Sequence, residues 1–95
     1  MAAYVIVDVD VHDPALYEEY KKASTRSAAG HGARFIVRGG AVEVLEGDWH
    51  PKRLVVLEFE SAEAARAWYR SDDYREAMAI RQRASTGSLV LVEGA

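Results

Sequence analysis

A chain of 95 residues with 49% apolar content carries enough hydrophobic material for one compact core and is too short for two. The absence of cysteine excludes thiolate catalysis, thiolate zinc sites and a disulfide framework. Its 12 basic residues are scattered among 15 acidic ones, for a net charge of −3, and no basic tract is present to neutralise phosphates, which argues against nucleic acid as a partner.

The N-terminal stretch MAAYVIVDVDV has no basic region ahead of it, and Asp8 and Asp10 interrupt its apolar run. It therefore reads as neither a signal peptide nor a membrane span, and a cytoplasmic protein with no membrane partner is expected. From Tyr4 to Val11 the valines at 5, 7, 9 and 11 alternate with Tyr4, Ile6, Asp8 and Asp10, the period of a strand. Asp13-Pro14 supplies an N-cap acceptor and a proline at the first helical position, and Leu16, Tyr17, Tyr20, Ala23, Ser27 and Ala28 follow at helical spacing. A helix is predicted from about Pro14 to Ala29, stopped by Gly30 and Gly32.

Alternation returns over Ala33 to Arg38 and, after the Gly39-Gly40 bend, over Val42 to Glu46, so the second strand is expected to resume there. Gly47 to Pro51 has the chemistry of a loop, and Arg53 to Glu60 reads as a third strand with Val55, Leu57 and Phe59 on one face. Ser61 is a suitable cap for a helix carrying Ala64, Ala65, Trp68 and Tyr69. Ser71-Asp72-Asp73 then breaks and re-caps it, giving one kinked helix or two short ones. Gly87 is expected to close this region before a last strand over Ser88 to Glu93.

Strand, helix, strand, strand, helix, strand is the split βαβ order of a ferredoxin-like α+β domain, an antiparallel sheet with its helices on one face. The other face would display Tyr4, Ile6, Ile36, Leu45, Leu54 and Val56 among Asp8, Arg34, Arg38 and Glu58. A surface that apolar is rarely left in water on a small domain, and packing two such faces about a two-fold axis buries it, so a homodimer is expected.

Several residue groups stand out together. They are Asp13-Pro14 with Tyr17 and Tyr20, Gly32-Ala33-Arg34, Arg38-Gly39-Gly40, Glu46-Gly47-Asp48-Trp49, and Phe59 with Trp68-Tyr69, Ser71 and Tyr74. In this combination the chain resembles the short bacterial proteins grouped as the domain of unknown function 1330 family, within the dimeric α/β barrel superfamily. The resemblance spans nearly the whole chain. It implies a ferredoxin-like fold and a back-to-back dimer, and no established chemistry. The wider superfamily includes cofactor-independent monooxygenases, haem-degrading enzymes, lactone isomerases and stress-responsive proteins, so inheritance at that level is analogy of fold alone.

Candidate chemistry is sparse. His31, between Gly30 and Gly32 at the end of the first helix, is either a capping residue or a proton acceptor. Arg34 and Arg38, four apart on a strand, are expected on one face, where they either clamp an anion or pair with Asp8, Glu43 or Glu58. Tyr17, Tyr20, Trp68, Tyr69 and Tyr74 either pack the core or wall a pocket for a small organic ligand. Glu46 beside Trp49 is a candidate general base in the loop after the glycine bend, or simply solvated.

No histidine–carboxylate spacing suits a metal, no Gly-x-Ser-x-Gly elbow is present, and Gly39-Gly40 leads into no helix that would make a phosphate loop. No cofactor is expected. The reading is a homodimer that is either a cofactor-independent isomerase- or monooxygenase-like enzyme or a non-catalytic binder of a small molecule. Its candidate catalytic residues are His31 and Glu46. Its candidate ligand contacts are Tyr20, Arg34, Arg38, Trp49, Trp68, Tyr69 and Tyr74. An RNA-recognition module on the same topology is disfavoured by the acidic balance.

Overall fold

Valine alternation sets the sidedness of the first strand in the computed structural model, which describes residues 1–95. In β1 (Ala3–Val11) Val5, Val7 and Val9 are buried, while Tyr4, Ile6 and Asp8 turn to the opposite face. The chain continues through α1 (Pro14–Gly30), β2 (Arg34–Arg38), β3 (Arg53–Phe59), α2 (Ala62–Arg70), α3 (Asp72–Ala84) and β4 (Ser85–Glu93). The strands form one antiparallel sheet in the order β2-β3-β1-β4, the ferredoxin-like arrangement expected from the sequence.

Capping residues account for the helix boundaries. The Asp13 carboxylate accepts the Leu16 N–H at 3.1 Å, and Ser61 accepts the Ala64 N–H at the same distance. Ser71 both ends α2, donating its hydroxyl to the Trp68 carbonyl at 2.6 Å, and opens α3 by accepting the Tyr74 N–H at 3.3 Å. Two helices therefore form where one kinked helix was the alternative. At the far end of α3 the Ala84 carbonyl accepts the N–H groups of both His12 and Asp13 at 3.0 Å, satisfying a helix terminus from the β1–α1 turn.

One core lies between the helices and one sheet face. Val5, Val7, Val9, Val55, Leu57 and Phe59 meet Tyr17, Tyr20, Trp68 and Tyr74 there. The Trp68 ring stacks within 4.0 Å of Tyr74 and 5.2 Å of Phe59, centroid to centroid. Fully burying side chains of this size stabilises the fold by about 1.5–3 kcal/mol each.

Three expectations are corrected. Gly87 ends no helix: β4 begins at Ser85 and Gly87 lies inside it opposite Val9, where any Cβ would collide with the Asp8 carbonyl of β1. Glycine here permits close approach of two backbones. Val42 to Glu46 does not resume the second strand, and residues 40–52 make no backbone–backbone hydrogen bond within the chain. Alternation alone cannot form a strand that has no neighbour to pair with. Finally, Arg34 and Arg38 do not share a face. Arg34 pairs with Glu58 and Phe35 with Leu57, but the ladder then skips to Val37 opposite Val56 and Arg38 opposite Val55. Ile36 is the extra residue of a bulge, which turns Arg38 toward the helices and leaves Arg34 on the opposite face.

That opposite face is uncovered. Tyr4, Ile6, Leu54 and Val56 line its centre, and Val37, Val90 and Val92 are exposed on it at 41%, 53% and 46%. The segment 40–52 reaches it at one point, where the Trp49 indole N–H donates to the Asp8 carboxylate at 2.7 Å.

Candidate functional site

The buried face of β3 carries Val55, Leu57, Phe59 and, in phase with them, Arg53. Together with Arg38, which the bulge in β2 turns inward, this puts two guanidinium groups beneath α1. They line a small, partly open cavity of about 20 Å³, room for roughly one water, whose walls include Tyr17, Tyr20, Ser24 and Phe35. Neither arginine forms an ion pair. Arg38 donates to the Thr25 hydroxyl at 2.6 Å and lies 4.1 Å from the centre of the Phe35 ring. Arg53 lies over the Tyr17 ring at 5.5 Å, and its buried Nε has no hydrogen-bond partner. A desolvated guanidinium N–H without an acceptor costs free energy, so this is a place where an added acceptor would be stabilised.

Outside Arg53 the cavity gives way to an open groove of about 390 Å³ bounded by Val9, Pro14, Tyr17, Lys21, Gly39 and Lys52, with Asp10 and Glu18 among its lining residues. Tyr17, Lys21 and Arg53 belong to both spaces, so Arg53 stands at the threshold between them. Gly39, at φ +74°, allows this placement, because a Cβ there would overlap the Arg53 guanidinium. Burial and the neighbouring Tyr20 push the Tyr17 hydroxyl up from its ordinary value, with Arg53 pulling the other way. Deeper in, the Tyr20 and Tyr74 hydroxyls share a 2.9 Å hydrogen bond, and burial keeps Tyr74 neutral far into the alkaline range.

The other residues singled out from the sequence are dispersed. Arg34 forms an ion pair with Glu58 on the open sheet face, the pairing that competed with an anion clamp in the sequence. Trp49 sits on the same face, bound to Asp8. Trp68 and Tyr74 are fully buried in the core, whereas Tyr69 is 39% exposed and borders a separate groove of about 400 Å³ between α2 and β4, with Arg66, Arg75, Leu89 and Leu91. His31 caps α1 through its backbone N–H, and its Nε2 lies 3.5 Å from the Asp73 carboxylate. Its polar neighbours, Ser71 first and then Ser27 and His31, hold the Asp73 carboxyl down to about 2. Glu46 lies in the exposed segment 40–52. Of the named candidates, the space beneath α1 gathers Tyr20 and Arg38, with Tyr17, which the sequence offers as a pocket wall; it adds Lys21, Ser24 and Arg53, which the sequence reading does not single out. The available signal was Arg53 itself, an arginine in register with three buried apolar residues.

Residues 2–95 match the family described as Domain of unknown function (DUF1330). The chain belongs to that family. No curated protein matches it. Among solved structures it is similar to RPA0582, a protein of unknown function from Rhodopseudomonas palustris. That likeness has 20% identity and a TM-score of 0.79, covering 99% of this chain and 82% of that one. It is also similar to a dimeric ferredoxin-like protein of unknown function from Thermobifida fusca, with 20% identity, a TM-score of 0.64 and coverage of 100% and 91%. A third likeness is to SnoaB, a cofactor-independent oxygenase from Streptomyces nogalater, with 15% identity, a TM-score of 0.59 and coverage of 99% and 93%. At these identities the likenesses establish the ferredoxin-like fold and leave the chemistry to the residues.

Proposed function

We propose that the protein is a homodimer that admits a small organic compound to the space between α1 and the β2–β3 strands and transforms it without a cofactor, as an isomerase- or monooxygenase-like enzyme. The observation that carries this reading is the convergence of Arg38, Arg53, Tyr17 and Tyr20 on one cavity bordered by an open groove. The partly buried Arg53 guanidinium, with the more exposed Arg38 beside the same cavity, can stabilise the negative charge that develops when a carbonyl compound enolises or a phenol ionises. Tyr20, hydrogen-bonded to Tyr74, is placed to hold or relay a proton at the inner end. The dimeric neighbour and the cofactor-independent oxygenase of the same fold are consistent with both parts of the reading. Dimerisation through the open sheet face would bury Ile6, Val56, Val90 and Val92, the apolar surface the chain itself leaves uncovered.

One observation favours the second reading, a non-catalytic binder. His31 and Glu46, the proton acceptors proposed from the sequence, do not border the cavity or its groove in the single chain, which leaves Asp10 and Glu18 as the carboxylates at hand. The deciding experiment incubates chelator-treated protein with pools of small carbonyl and phenolic compounds, following oxygen consumption and product masses. Turnover that Arg53→Gln abolishes supports the enzyme. Saturable binding with no mass change in any pool supports the binder.

A further inference from the structure

The ligand's charge can be read from how the cations are distributed. Six of the chain's 12 basic residues, Lys21, Lys22, Arg26, Arg38, Lys52 and Arg53, border the cavity, its groove or the adjoining flank of α1. Two carboxylates, Asp10 and Glu18, border the same surfaces, and one of them is engaged: Glu18 accepts a hydrogen bond from Lys21 at 2.9 Å. In a protein whose net charge is −3, half the cations thus gather around one opening with little to neutralise them. Arg38 and Arg53 go further, since both turn inward from the sheet and neither has a carboxylate partner. Guanidinium groups without a carboxylate partner, lying against aromatic rings and one with an orphaned Nε, fit a planar acceptor with two oxygens.

Resting on the reading of this space as the ligand site, we infer that its ligand is a small organic anion, an aromatic or unsaturated carboxylate or a phenolate. The charged end lies between Arg38 and Arg53, and the flat apolar body lies against Tyr17 and Phe35. Arg53 is the specificity residue and the threshold. The inner cavity of about 20 Å³ is too small for such a body, and the groove of about 390 Å³ lies within the roughly 300–1,000 Å³ usual for small-molecule sites. The anion therefore docks from the groove, and drawing the Arg53 side chain toward it joins the two spaces. Gly39 leaves the room in which that side chain lies. The surrounding lysines raise the local concentration of anions and make association depend on salt.

Titration calorimetry on the full-length protein with benzoate, benzamide and benzylamine tests this inference separately from the site reading. The expected result is that benzoate binds at least tenfold more tightly than its neutral isostere. Benzylamine should not bind, and benzoate affinity should fall as salt is raised. Arg53→Gln and Arg38→Gln should each remove most of the benzoate preference while the circular dichroism spectrum is unchanged, and Arg53→Lys should keep part of it. Equal binding of benzamide and benzoate overturns the anion assignment and leaves the site standing. A benzoate preference that survives both glutamine variants overturns the assignment to these arginines. Failure of all three probes to bind removes the anion inference and the site together.

Discussion

The paired hydroxyls of Tyr20 and Tyr74 allow a worked test of how the core and the cavity are joined. Tyr74 is fully buried, and Tyr20 is 7% exposed with one side on the cavity. Tyr20→Phe removes a net hydrogen bond worth about 0.5–1.5 kcal/mol and leaves the Tyr74 hydroxyl with no acceptor or donor, so the unsatisfied group brings the cost to about 1–3 kcal/mol. Tyr74→Phe should cost less, about 1 kcal/mol, because the stranded Tyr20 hydroxyl can turn to a water in the cavity. The double variant removes both polar ends and keeps the stacked rings of Tyr74 and Trp68, whose centroids are 4.0 Å apart. It should be no less stable than Tyr20→Phe alone, a coupling of about 1 kcal/mol. Urea unfolding of the four proteins at one fixed protomer concentration reads this directly, and in a domain of this size 1 kcal/mol moves Tm by about 4–8 °C. Additive losses, or a costlier Tyr74→Phe, would refute the account of a dry inner hydroxyl beside a wet outer one.

Other consequences are equally concrete. Asp73 is held down to about 2 from an ordinary 3.8, so its contribution to stability is complete above the higher value and disappears as pH falls through the lower one. Asp73→Asn should therefore be destabilising at neutral pH, and its deficit against the parent should close between about pH 4 and pH 2 in pH-dependent melts. Gly39→Ala places a side chain at φ +74° and displaces Arg53, so it should cost about 1–3 kcal/mol of strain and weaken benzoate binding as well. Normal binding with the strain present would separate Gly39 from the site. Val90→Glu, opposite Ile6 on the uncovered sheet face, should shift sedimentation from dimer to monomer with the fold retained. An unchanged mass would place the interface elsewhere.

Fold was legible in the sequence because its evidence is local and periodic. The alternating valines of β1, the Asp13-Pro14 start of α1 and the double role of Ser71 each act within a few residues of themselves. What escaped depends on neighbours distant in the chain. Val42 to Glu46 has the period of a strand, but pairing needs a second backbone, and none lies beside it in this chain. Gly87 reads as punctuation until the Asp8 carbonyl is seen against it. The bulge at Ile36 inverts every residue after it, so Arg38 leaves the face on which unbroken alternation would put it beside Arg34. The site suffered most from this. Trp68 and Tyr74 carry polar tips and look like pocket walls, yet the core takes them whole, while Arg53 resembles an ordinary strand-end cation until the phase of β3 is counted.

A rival groove lies between α2 and β4, so the place where a small ligand binds is the central question. Two-dimensional NMR of the labelled protein titrated with benzoate addresses this most directly. The backbone amides of Lys21, Ser24, Phe35, Arg38, Gly39 and Arg53 should shift together along one saturation curve. Shifts confined to Arg66, Tyr69, Arg75 and Leu89, with the first set unmoved, would contradict this.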